Sequence, residues 1–239
     1  MNDYRSVDDQ LLHQTVQRLE ERIGVLFPHA GLRGVARELV GLTAVARQRS
    51  REIGRPVRWI RIPAYLALVG LLLVIALEIF IIDKIGQVET VSDFIQVLEP
   101  TLGCIFFLAA IAAFLLSLET RWKRTRALEA IHELRAMAHV VDMHQLTKDP
   151  TADNLGESRM PPDDRPLTPS ELVRYLDFAS EMLSLISKVA VLYVQRFPDD
   201  GAVRAVDEIE NLTNGLSRKI WQKITILQAS LPRPDPAPR

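Results

Sequence analysis

The apolar residues of this chain gather in two nearly unbroken blocks and elsewhere recur at helical spacing. Residues 64–82 read AYLALVGLLLVIALEIFII, with Glu78 as the one charge, and residues 102–118 read LGCIFFLAAIAAFLLSL, with none. At the α-helical rise these reach about 28 and 26 Å, close to the thickness of a bilayer's hydrocarbon core. A soluble helix keeps a polar face, and neither block has one. The first block begins too far into the chain for a cleavable signal peptide. The pattern predicts two transmembrane helices.

The flanking sequence predicts further helices. Over residues 6–27, Leu12, Val16, Leu19, Ile23 and Leu26 follow a heptad, coiled-coil-like stripe. Pro28 and Gly31 interrupt it, and Leu32, Val35, Leu39, Leu42 and Ala46 mark a second helix that Gly54 and Pro56 end. Between the spans, Val88, Val91, Ile95 and Leu98 suit a short helix lying on the outer membrane surface. A long helix is expected from Pro100 to Leu146, its aqueous part carrying the seam Ile131, Leu134, Ala138 and Val141.

Thr147 to Leu167, rich in Pro, Asp and Gly, reads as a mobile linker. Thr168-Pro169-Ser170-Glu171 then has the form of a capping box with proline in the first turn. The helix it starts carries two apolar stripes. Leu172, Leu176, Leu183 and Ile186 lie on one, and Tyr175, Phe178, Met182 and Leu185 on the other. Two stripes require cover on two sides, so this helix is expected to be the centre of a bundle and its packing interface, with the long helix and the last helix as its cover. Arg174, Asp177, Glu181 and Lys188 make it too polar for a third span. The last helix is expected over 202–229, followed by a Pro-rich tail.

The expected fold is therefore an all-α membrane protein: a two-span helical hairpin with a cytoplasmic helical bundle. The divisions are 1–62 (helical hairpin and basic juxtamembrane segment), 63–118 (spans 64–82 and 102–118 with connector 83–100), 119–146 (extension of the second span), 147–167 (linker), 168–230 (helical pair) and 231–239 (tail).

Charge orients the hairpin. Arg49, Arg51, Arg55, Arg58 and Arg61 precede the first span, and Arg121, Lys123, Arg124 and Arg126 follow the second. The connector is acidic, with Asp83, Glu89, Asp93 and Glu99 against Lys84. Both termini are thus expected in the cytoplasm, with Trp59 and Trp122 at the interface. Overall, 29 basic residues balance 30 acidic ones, which argues against a nucleic-acid partner. The single cysteine, Cys104, excludes an intrachain disulfide.

Candidate chemistry is sparse. There is no P-loop, no nucleophile elbow and no HExxH zinc motif. His132, Arg135, His139 and Asp142 share a helical stripe, which reads first as a solvated or salt-bridged face. The competing reading is a zinc or manganese site using His132, His139 and Asp142, although the usual i, i+4 histidine pair is missing. Glu78 is the membrane-functional candidate: it anchors at the interface or, alternatively, serves ion conduction. Ala109, Ala113 and Ser117 form a small-residue stripe that lets helices approach closely.

The expected function is that of a membrane-anchored scaffold or interaction protein, not an enzyme and without cofactor. It would oligomerise or recruit a cytoplasmic partner at a bacterial plasma membrane. The alternative is a two-span pore-forming or ion-conducting oligomer. That layout, without any shared residue motif, resembles the two-span effector modules of bacterial conflict systems.

Overall fold

The computed structural model describes residues 6–85, 91–146 and 167–230. The centre of the connector, the linker and the Pro-rich tail lie outside the described residues. Among those described, 92% are helical and none is in a strand. The helices are α1 (Asp9–Leu26), α2 (Gly31–Gly54), α3 (Arg58–Ile85), α4 (Val91–Leu146), α5 (Pro169–Arg196) and α6 (Asp200–Ser230).

The chain divides into two compact units: residues 1–54 with 126–239, and residues 55–125. The first unit is a bundle of α1, α2, the C-terminal part of α4, α5 and α6. Each helix contributes most of the stripe its periodicity marks; Leu26, expected on the α1 stripe, is instead exposed because it closes the last turn of the helix. Leu12, Val16, Leu19 and Ile23 of α1 join Leu32, Val35 and Leu39 of α2, and Ile131, Leu134, Ala138 and Val141 of α4 enter the same core.

Helix α5 buries thirteen residues, among them all eight of Leu172, Tyr175, Leu176, Phe178, Met182, Leu183, Leu185 and Ile186. Its start has the expected capping box. The Thr168 N–H donates to the Glu171 carboxylate at 2.8 Å, and the Glu171 N–H donates to Thr168 Oγ1 at 3.3 Å. The cover of α5 differs from the expectation. It packs on α6 but also on α2 and α1, and Tyr175 Oη donates to the His144 carbonyl of α4 at 3.4 Å. The reason is the N-terminal hairpin, whose own two stripes also need burial. Phe27, just past α1, stands edge-on to Tyr175 and Phe178 with ring centroids 5.6 and 6.2 Å apart. Such pairs add about 1 kcal/mol beyond the area they bury.

The second unit holds the two apolar segments. On α3 the burial is greatest at Ile60 and Ala64 and partial at Ala67, Leu71 and Val74, a repeat of four and three residues. On α4 the half-buried positions include Ile105, Leu108, Ala112 and Leu115. The remaining faces are open: Leu66 is 66% exposed and Phe106 77%. Two helices are thus long and apolar enough to cross a membrane.

Two boundaries differ from the sequence reading. Helix α3 already begins at Arg58 and takes Pro63 into its body. Helix α4 begins at Val91 and carries Pro100 inside it, so the second half of the connector is helical and continuous with the second apolar segment. A proline within a helix removes one backbone donor. It does not end the helix when the residues on both sides favour continuation, and apolar helices tolerate it.

Candidate functional site

The histidine stripe of α4 is resolved into separate local contacts. His132 and His139 are exposed. Asp142 accepts from Gln145 Nε2, and buried Gln145 in turn accepts from Lys223 Nζ of α6 at 2.9 Å through its side chain and 3.2 Å through its carbonyl. Arg135 pairs with Glu208 of α6 at 3.0 Å. His144 lies against the first residue of α2: a Cβ on Gly31 would stand 2.7 Å from its ring, so a larger residue there would push the ring aside. Among the described residues no three His, Cys, Asp or Glu side chains are gathered as metal ligands. The Glu78 side chain lies outside the described residues. Ala109, Ala113 and Ser117 are exposed, so this stripe does not form the contact between α3 and α4.

The structure assembles two charged centres that sequence spacing did not reveal. The first joins three helices at Asp9. Its carboxylate is 10% exposed and accepts two hydrogen bonds of 3.0 Å from Arg51 of α2 and one of 3.5 Å from Arg196 of α5. Arg47 Nε lies 3.8 Å away. His13 is held below its ordinary pKa by burial and by the Arg47 charge. Between α2 and α4, Arg49 grips Glu133 with both contacts at or below 3.0 Å, beside a cleft of about 310 Å³ that also contains Glu52, Arg126 and Glu129. Tyr193 of α5 faces the Arg49–Glu133 pair. Burial pushes its phenol up to about 12, with Arg49 pulling the other way.

The second centre lies in the other unit, where the apolar segments meet their basic flanks. Glu119, one residue past the apolar block of α4, is only 4% exposed. One oxygen accepts from Arg61 Nε of α3 at 2.8 Å. The other accepts from Lys123 Nζ, one turn on, at 2.8 Å and from the Val57 N–H at 3.2 Å. Burial by itself would raise the carboxyl. The Arg61 and Lys123 hydrogen bonds and the Val57 N–H outweigh it and pull the pKa down to about 2. Glu119 therefore clamps the start of α3 to α4. In the sequence it is one acid within a basic stretch, and only the approach of α3 makes it a junction.

Three cations around this clamp are left outside such pairs. Arg55, Arg58 and Arg121 are exposed and have no ion-pair partner among the described residues. Trp59 beside them is 65% exposed. Chemically, the arrangement can hold two apolar helices together and present positive charge. It places no nucleophile beside a base. Compared with known proteins, the chain matches no family model, no curated protein and no solved structure.

Proposed function

We propose that the chain is a membrane-anchored α-helical scaffold or interaction protein. In this reading a two-span hairpin holds it in a bacterial plasma membrane, and its bundle faces the cytoplasm, where it oligomerises or recruits a protein partner. The observation that carries the reading is the make-up of the bundle, which draws helices from both sides of the hairpin in sequence. A hairpin that crosses a bilayer must then return the chain to the side it left. The Arg-rich flanks and acidic connector supply the cytoplasmic orientation. Ion pairs between helices of the bundle, among them Asp9–Arg51, Arg49–Glu133 and Arg135–Glu208, support a structural role. Both apolar stripes of α5 are covered within one chain, so copies would meet elsewhere. The exposed Ala109, Ala113 and Ser117 face of α4 suits close helix approach.

Crosslinking with mass spectrometry in native membranes tests this. The expected outcome is crosslinks to a second copy or to one reproducible cytoplasmic protein. Crosslinks confined to single chains would sink the scaffold reading. Conductance of reconstituted liposomes that is lost in Glu78→Gln would favour the pore-forming oligomer instead.

A further inference from the structure

Residues 55–63 and 119–125, which flank the two apolar blocks on their basic side, carry six cations, Arg55, Arg58, Arg61, Arg121, Lys123 and Arg124, against a single acid, Glu119. An exposed carboxylate in such a collar would neutralise its neighbours and repel anions. Here the carboxylate is turned inward and, among the described residues, pairs only with Arg61 and Lys123. Glu119 is buried and already satisfied by Arg61, Lys123 and the Val57 N–H. The charge of Arg55, Arg58 and Arg121 is left to face outward, from the turn before α3, from α3 and from α4 within one compact unit. Two aromatic rings near these cations are exposed too, Trp59 at 65% and Tyr65 at 59%, as amphipathic rings are at headgroup depth, while Trp122 is half-buried. Guanidinium groups match phosphate oxygens in geometry as well as in charge.

We propose that this collar recognises the phosphate of anionic phospholipid headgroups, so that the protein enriches such lipids around the cytoplasmic ends of its spans. The inference rests on the reading of α3 and α4 as membrane-spanning. A lipid fits better than a soluble anion because the cations are spread over a turn and two helices rather than gathered into a pocket. They also adjoin open apolar surface such as Leu66.

The test uses the full chain in phosphatidylcholine vesicles with a rising share of phosphatidylglycerol. Tryptophan quenching by the brominated form of one lipid or the other reads the preference. Wild type should favour phosphatidylglycerol. Combined Arg55→Gln, Arg58→Gln and Arg121→Gln should lower that preference by at least about tenfold, since each basic residue near an anionic surface contributes on the order of fivefold. The same three positions changed to Lys should keep most of it, which shows that the sites tolerate substitution. No preference in wild type, or an undiminished one in the Gln variant, overturns the inference. So does loss of the preference in excess inorganic phosphate at constant ionic strength, which would make the ligand a free anion. Flotation after alkaline extraction separates the two failures. A chain that does not float overturns the membrane reading itself, whereas a chain that floats without lipid preference overturns only the collar.

Discussion

Glu119 shows how much one side chain can depend on its neighbours. Alone at 4% exposure its charge would be too costly to keep, and two cations and a backbone donor make it affordable. Its carboxyl has an ordinary value of 4.5 and is lowered to about 2 in the fold. A lowered carboxyl stabilises the fold above the ordinary value, and that contribution is lost as the pH falls through the shifted one. We therefore expect Glu119→Gln to cost about 2 kcal/mol at neutral pH, through the weakened hydrogen bonds and the uncompensated, buried Lys123. Thermal unfolding in detergent should show the gap between variant and wild type closing between about pH 4 and pH 2. A constant gap over that range would mean that the carboxylate charge contributes nothing to the clamp. Asp9 is likewise a nearly buried carboxylate held by cations from other helices. Its partner Arg196 is 187 residues away in sequence, which is why no local pattern announces it.

At the scale of elements, the decisive helix is α5. Leu183 and Leu185 belong to different stripes and are 0% and 5% exposed. Leu183→Asp and Leu185→Asp should each destabilise the bundle by more than about 3 kcal/mol, because each buries a carboxylate without a partner. Exposed Lys188→Ala should change stability by less than about 0.5 kcal/mol. Denaturant unfolding followed by far-ultraviolet circular dichroism measures all three. If either Asp variant unfolds like wild type, that stripe is not part of the core.

This helix was legible in the sequence because its information is local. The capping box Thr168–Glu171 and the two stripes lie within one continuous segment, as do the two apolar blocks. Which helices cover α5 was not legible. The stripes of α1, α2, α4 and α6 are alike in apolar character, and nothing in a stripe names its partner. Helix boundaries at Pro63 and Pro100 misled for a related reason. Proline disfavours a helix interior by a few kcal/mol, and the flanking residues together outweigh that. The charged centres were the least legible. Arg51, Arg55, Arg58 and Arg61 read as one basic flank, and only the fold separates Arg51 and Arg61, which hold a buried carboxylate, from Arg55 and Arg58, which face outward.

At the scale of the whole molecule, the proposed topology makes a simple prediction. Reporter fusions after Gln87 and after Ala229 should report opposite sides of the membrane, because one follows the first span and the other follows both. Reporters on the same side would exclude the hairpin. The metal alternative for the α4 stripe is also decided on the intact protein. With His132 and His139 exposed and Asp142 tied to Gln145, elemental analysis of protein prepared without chelator or affinity tag should find no stoichiometric zinc or manganese. Near-stoichiometric metal that disappears in His139→Ala would establish the site.

The bundle takes its helices from both sides of the hairpin, and this sets an order of events during synthesis. Helices α1 and α2 leave the ribosome first, yet Arg196 at the end of α5 is made 142 residues after Gly54. At ordinary translation rates that delay is roughly 7–30 s. Throughout it, the faces of α1 and α2 that await α5 have only each other for cover. On the proposed membrane reading, the two most apolar segments are delivered to the bilayer during this delay, so the bundle would close only after the hairpin had been handed over, and a chain that failed at that step would keep an unfinished core. Protease added to ribosome-bound chains should cut α1 and α2 until α5 has emerged and spare them afterwards, which makes completion of the bundle a natural checkpoint for discarding chains that stalled on the way.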